Sequence, residues 1–494
     1  MKPLLPVSRR LAAALAALLA VSAPAESPRP NVLFIAADDL RTDLGCYGAA
    51  GVLTPNLDAL ARRGRLFERA YVQQAVCNPS RASIMTGLRP DTIKVWDLRT
   101  HFRKERPDAI TLPQHFKNNG YTTIDIGKIF HNQGGKGPPE GPFADPISWS
   151  EQPVMTASQH WRDWVMPDGK PPTKKQGAYQ CLDVPDNAYF DGQIADAAVK
   201  KLGELKQAGK PFFLAVGFWK PHLPFNAPKK YWDLYDRAQF TKIDPVELPA
   251  GAPAMAGHNS DELRNYDGIP ESGPIPPELA TTLRHGYAAG ISFLDAQVGK
   301  VMAELDRLGL AENTIIVFWG DHGFHLGEHA LWGKSSNYEL DARAPLMVAT
   351  PGMKQPGASA PGLVEFLDLY PTLVALAGLP AAPGLQGQSL VPLLDDPRHP
   401  GKAAVLSQHP RPYFNDQLTH MGYALRTAQH RYVEWREMPS GAVVARELYD
   451  ETVDSRETIN RAAEPAQAAL VEKLAAQLRD LVGQNPKILP LSAN

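Results

Sequence analysis

Two stretches far apart in the chain, Asn31–Asp39 (NVLFIAADD) and Thr314–Gly323 (TIIVFWGDHG), decide the fold. Each is a short apolar, β-branched run that ends in acidic residues. Neither alternates polar with apolar positions, as a half-exposed strand would, so both read as strands covered on two faces. Tyr121–Gly127 and Phe212–Phe218 read the same way, and helical stretches fall at Asn56–Arg63, Leu112–Asn119, Ala195–Gln207, Glu278–Leu308 and Val364–Leu376. The recurring order of strand, loop and helix predicts an α/β fold, a mostly parallel sheet flanked by helices.

Outward from this frame the texture changes near residue 400. Ala403–Gln408, Tyr423–Ala428, Arg431–Arg436 and Val443–Tyr449 read as short antiparallel strands, and Pro465–Val482 as a helix. A chain of 494 residues exceeds what one small core needs. The expected division is therefore a catalytic domain over 26–400 and a smaller C-terminal α+β domain over 401–494. Connectors at Gly134–Pro146, Pro167–Lys174, Leu248–Pro277 and Pro351–Pro361 are long for loops of an α/β protein, a length typical of lids and substrate walls.

Residues 1–25 read as a signal peptide. Lys2, Arg9 and Arg10 form a basic start, Leu11–Val21 an apolar stretch too short to span a bilayer, and Ala23-Pro24-Ala25 a small-residue cleavage site. No later apolar run reaches the length of a membrane helix. The protein is thus expected to be exported, to the periplasm or beyond the cell, by a Sec or a twin-arginine route. Loss of the signal would take the formal net charge from −2 to about −5, which excludes a general attraction to nucleic acid and makes any recognition of an anionic substrate local. Arg99, Arg103, Lys104 and Arg106 could form such a local basic rim. Three cysteines, Cys46, Cys77 and Cys181, do not make a disulfide framework, and whether Cys46 and Cys181 pair stays open.

In an open α/β sheet, sites form at the carboxyl ends of the strands, and four of these strands end in chemically capable residues. The first ends in Asp38-Asp39 and the Thr314 run in Asp321-His322. A single Asp after a strand is often only a helix cap, but two acidic turns from distant parts of the chain would repel unless a cation lay between them. Oxygen-rich ligands suit calcium or magnesium. Lys128 and His131 follow the Tyr121 strand, and His222 follows Phe212–Phe218. Lys128 and His222 could neutralise a bound oxyanion, and His131 could act as a base. Cys77-Asn78-Pro79-Ser80-Arg81 leads into a helix expected from Pro79 to Thr86 and closed by Gly87, which puts Cys77 at a positive helix end.

Cys77–Gly87 (CNPSRASIMTG) resembles the signature of type I sulfatases, and Gly120–His131 (GYTTIDIGKIFH) resembles the second signature of that family. The two residues between Lys128 and His131, where one is common, are similar to the iduronate-2-sulfatase branch. DDLRTDLGCYG from Asp38, FFLAVGFWKPHLPF from Phe212, GDHGFHLGEHALWGKSSNYE from Gly320 and MGYALRTAQHRYVEW from Met421 also look like that branch. The resemblance implies an alkaline-phosphatase-like fold and a calcium site made by Asp38, Asp39, Asp321, His322 and a modified Cys77, with magnesium as the alternative ion. It further implies that a maturation enzyme oxidises Cys77 to formylglycine, whose hydrate attacks sulfur.

On the same resemblance Arg81 holds the hydrate, while Lys128, His222 and Lys334 bind sulfate. His131 accepts the proton that frees the sulfated enzyme, and either His222 or Lys334 protonates the leaving oxygen. The implied function is hydrolysis of sulfate esters, with a 2-O-sulfated uronic acid of a glycosaminoglycan or other sulfated polysaccharide as substrate. A phosphoester or phosphonate monoester hydrolase on the same fold is the alternative.

Overall fold

Seven strands form the central sheet in the order Ser359–Glu365, Arg65–Tyr71, Leu346–Ala349, Thr314–Gly320, Asn31–Asp38, Phe212–Pro221 and Thr122–Gly127. The computed structural model describes residues 29–131, 144–155, 177–243, 246–412 and 418–483. The expected signal peptide and most of the connectors Gly134–Pro146 and Pro167–Lys174 lie outside these residues. Within the sheet, only Leu346–Ala349 runs against its neighbours.

The continuous apolar runs follow from a sheet covered on both faces. Leu33, Ile35 and Ala37 face a core shared with Leu294, Val298 and Val301 of the helix Pro277–Arg307. Val32, Phe34 and Ala36 face the opposite core, shared with Ala82, Ile84 and Met85 of the helix Cys77–Thr86. Burying a side chain the size of Leu33 or Phe34 contributes about 2 kcal/mol. Between Asn31 at its start and Asp38 at its end the central strand therefore carries only apolar residues.

Register then aligns the ends. Asn31–Asp38 pairs in parallel with Thr314–Gly320, Ala37 opposite Gly320, and with Phe212–Pro221, Asp38 opposite Pro221. Thr122–Gly127 pairs with the Phe212 strand so that Gly127 lies opposite Gly217. Asp38, Lys128, His222 and Asp321 consequently leave the sheet along one edge. A Cβ at Gly217 would come 2.0 Å from the Lys128 carbonyl oxygen, so only glycine lets these two strand ends close together.

Three expectations change. The helix read over Val364–Leu376 is a strand end and a shorter helix: Val364 pairs with Ala70, Phe366–Asp368 make one 3-10 turn, and the α-helix spans Leu369–Leu376. Here Asp368 accepts the Glu365 backbone N–H at 2.9 Å and fixes the bend. Arg65–Tyr71 (RLFERAY) was not expected as a strand because its charges mask the period. Arg65 is nevertheless buried, with its guanidinium on the carbonyls of Lys354, Gln355, Ala358 and Leu394. The helix expected from Pro79 begins at Cys77.

Beyond residue 400, Ala404–Arg411, His420–Thr427, His430–Glu437 and Val443–Asp450 form an antiparallel meander. The helix Ala468–Gly483 packs Leu474, Ala475 and Leu478 against its Leu406, Tyr423, Leu425 and Tyr432. Among the described residues no helix is long and apolar enough to cross a membrane. Cys46 and Cys181 are separate thiols.

Candidate active site

The edge built by the strand ends carries a cluster of buried charges. Asp38, Asp39 and Asp321 are fully removed from solvent, and Cys77 is 1% exposed. Cys77 opens its helix after the extended Val76, so its side chain lies among the strand ends. One ligand atom from each of Asp38, Cys77, Asp321 and His322 lies within 4.8 Å of every other, and Asp38, Asp39, Cys77 and His222 form a second such group.

Cations surround this core. Arg81 donates through Nε to Asp321 at 2.8 Å and through Nη2 to Asp38 at 3.2 Å, and its Nη1 holds the Lys128 carbonyl at 2.5 Å. Lys128 contacts the other Asp38 oxygen and lies 4.6 Å over the Trp219 ring. Lys334 donates to both Asp39 oxygens, at 2.9 and 3.0 Å. Burial pushes the Asp38 carboxyl up, but Lys128, His222 and Arg81 outweigh it and hold Asp38 well below the usual carboxylate range. Asp39 is raised, because burial exceeds the effect of His222, Lys334 and His322.

His322 has the orientation of a ligand. Its Nδ1 lies 2.9 Å from the Gly323 carbonyl, an acceptor only, so the hydrogen sits on Nδ1. Nε2 then faces Cys77 Sγ at 3.3 Å and carboxylate oxygens of Asp39 and Asp321 at 3.4 and 3.7 Å. An Nε2 aimed at two carboxylates needs positive charge there, a proton on the nitrogen or a cation between the groups, and a second hydrogen bond orienting the ring is a recurring feature of metal-binding imidazoles. The three carboxylates suit a hard divalent ion, whereas the imidazole nitrogen and the Cys77 sulfur are softer donors, so residue 77 fits such a set only as an oxygen donor.

Burial and Asp38 push the Cys77 thiol well up, against Lys128 and Lys334, so the unmodified side chain is a neutral thiol and a weak nucleophile. His131 is partly buried, and its charged form is disfavoured by burial and then by Lys128, which holds the ring neutral well below the usual histidine range. His222 donates from Nδ1 to the Leu223 carbonyl at 2.5 Å and presents Nε2 to Glu262 at 3.1 Å. Lys334 touches the same Glu262 carboxylate at 2.7 Å.

The structure thus gathers Asp38, Asp39, Cys77, Arg81, Lys128, His222, Asp321, His322 and Lys334 in one cluster, with His131 in electrostatic contact with Lys128, Asp38, Arg81 and Lys334. Glu262 was missed from sequence. It comes from the connector Leu248–Pro277, where length was the only signal. Of the expected basic rim, Arg103 is tied to Asp145 and Arg106 to Asp108, which reduces its free charge.

Comparison with known proteins places this geometry among relatives. A family model described as sulfatase matches residues 30–379, and one described as N-sulphoglucosamine sulphohydrolase, C-terminal, matches 327–484. The chain is 36% identical over 469 residues to iduronate 2-sulfatase of Homo sapiens, covering 82% of this chain and 84% of that protein. Among solved structures, a phosphonate monoester hydrolase of Agrobacterium radiobacter superposes with a TM-score of 0.75 at 23% identity, over 92% of this chain and 96% of that one. A 2-O GAG sulfatase superposes with a TM-score of 0.67 at 22% identity, over 93% of each chain. At these identities the two structures share the fold.

Proposed function

The chain belongs to the sulfatase family, and on that premise we propose that it removes the 2-O-sulfate from a uronic acid of a glycosaminoglycan or other sulfated polysaccharide. The observation that carries this reading is the meeting of three buried carboxylates, Cys77 Sγ and His322 Nε2, flanked by Lys128, His222 and Lys334. The uronic acid specificity is supported by the 36% identity to an iduronate 2-sulfatase.

A sulfate ester resists hydrolysis because its oxygens are anionic and its alkoxide leaving group is poor. Lys128, on Asp38, and His222 and Lys334, beside Asp39, supply three cationic or donor groups around the cluster, and we assign them to the sulfate oxygens. Arg81, bonded to both Asp38 and Asp321, fixes the two acidic strand ends in one orientation. A calcium ion held by Asp38, Asp39, Asp321, His322 and residue 77, or magnesium in its place, would polarise the sulfate and lower the pKa of the attacking hydroxyl.

A neutral buried thiol cannot serve as that nucleophile, so Cys77 is assigned to conversion to formylglycine by a maturation enzyme, which gives the position a hydroxyl in its hydrated form. His131, held neutral by burial and by Lys128, is assigned to accept a proton at the step that releases sulfate. His222 or Lys334 gives a proton to the departing sugar oxygen. Export through the signal at 1–25 would place the enzyme where sulfated polysaccharides and oxidising or periplasmic conditions are met.

Screening 2-O-, 6-O- and N-sulfated oligosaccharides for released sulfate tests the specificity: preference for the 2-O-sulfated uronic acid supports it, and preference for another position refutes it. Paired sulfate and phosphate esters of one alcohol separate this reading from a phosphonate or phosphoester hydrolase.

A further inference from the structure

Glu262 sits on the short helix Asp261–Arg264 in the middle of the connector that the sequence marked only by its length. Its Oε1 lies 3.1 Å from His222 Nε2 and its Oε2 lies 2.7 Å from Lys334 Nζ. On the opposite side Lys334 is held by Asp39. Burial favours the neutral Glu262 acid, but Lys334 and His222 prevail and keep it a carboxylate far below the usual range. A carboxylate therefore bridges the two groups assigned above to sulfate oxygens.

Its surroundings differ from those of a structural ion pair. The Glu262 side chain is 27% exposed, whereas Asp38 and Asp39 are fully buried. It lines a cavity of about 470 Å³ together with Lys334, His258, Trp332 and Arg411. Among the described residues Arg411 has no carboxylate within ion-pair distance, and its guanidinium rests on the carbonyls of Met255, Ala256, Ser335 and Pro410 and on His409. One wall of the space beside Glu262 thus carries a guanidinium, whose charge Glu447 and Asp341 offset only from beyond ion-pair distance, and a carboxylate turned into the cavity would face a positive wall.

We propose that Glu262 is an internal anion that competes with sulfate for Lys334 and His222. It holds both groups when no substrate is present, yields them to the incoming ester by turning toward the cavity, and returns to expel the sulfate product. The inference rests on the assignment of Lys334 and His222 to sulfate oxygens. It makes a charge prediction: inorganic sulfate, a dianion, feels the nearby carboxylate more than the monoanionic ester does.

The test is calorimetric binding of inorganic sulfate to the calcium-loaded full chain, which needs no turnover. Glu262→Gln keeps the size of the side chain and removes its charge, and should tighten sulfate binding by about tenfold. With an ester substrate the KM should fall by a smaller factor, with kcat unchanged or reduced as sulfate leaves more slowly. Glu271→Gln, exposed in the same connector, should leave the sulfate affinity at the wild-type value. Should Glu262→Gln fail to fold, Glu262→Asp, which shortens the reach while keeping the charge, should show the same tightening in weaker form. Unchanged or weakened sulfate binding in the folded Glu262 variant overturns the proposal. Lys334→Ala separates its premise: if that change leaves sulfate affinity intact, the assignment of Lys334 to sulfate is itself wrong and the proposal falls with it.

Discussion

His322 presents Nε2 to Cys77 Sγ at 3.3 Å while its Nδ1 donates to the backbone carbonyl of the next residue, Gly323. This single ring links the acidic strand ends to the helix that Cys77 opens, and it turns Nε2 to where a cation would meet it. Removal of bound metal by a chelator should therefore abolish sulfate release, and calcium should restore it. Because Arg81, Lys128 and Lys334 already neutralise the carboxylates, the metal-free protein should keep its fold by circular dichroism. His322→Ala should weaken calcium binding by about one to two orders of magnitude in a calorimetric titration. Full activity in exhaustively demetallated protein would sink the metal assignment.

Cys77 provides the second prediction. Its thiol is buried and neutral, so an active preparation should carry the modified side chain, about 18 Da lighter than the thiol and reactive toward hydrazides. Peptide mass spectrometry reads this directly. Protein made without a maturation enzyme should be folded but slow by orders of magnitude, and fully active protein that carries only the thiol contradicts the assignment.

A third prediction concerns stability rather than catalysis. Glu451 is pushed up to about 9 by burial and by the neighbouring Glu339 and Glu457, against Arg431 and Arg426. Its folded pKa lies above the unfolded carboxylate value, so the folded chain binds the extra proton across the interval between the two. The stability that Glu451 contributes is full below the unfolded value and is lost as pH rises toward about 9. Glu451→Gln mimics the protonated state and should flatten the fall in melting temperature between neutral and alkaline pH. Equal slopes for wild type and variant would show that Glu451 ionises freely in the fold.

Much of this site was legible because its residues stand where strands stop: Asp38, His222 and Asp321 each follow a buried apolar run, and Lys128 follows a buried strand that also holds Thr123 and Asp125 inside it. The parallel register that unites them is a consequence of those runs packing on both faces. Lys334 has no such strand in front of it and was legible only through family resemblance. Glu262 was not legible, since a carboxylate in a long connector looks like solvated surface until the chain folds it onto His222 and Lys334. The strand at Arg65 was hidden for a related reason: a buried arginine satisfied by four carbonyls reads in sequence as an exposed charge.

The last prediction divides the two halves of the reaction. His131 is held neutral by burial and by Lys128, which suits a group that takes a proton, whereas His222 and Lys334 share the Glu262 carboxylate on the side assigned to sulfate and leaving group. Loss of His131 should therefore leave bond breaking to the sugar intact and block the later release of sulfate. In rapid-quench experiments His131→Ala should give one equivalent of desulfated sugar per enzyme and then stall, with the sulfo group still on the protein by intact mass. His222→Ala or Lys334→Ala should instead slow the first turnover itself, by about two to three orders of magnitude where charge on the sulfate or the leaving oxygen goes uncompensated. A His131→Ala protein that binds substrate normally yet shows neither burst nor sulfated mass would remove His131 from the second step.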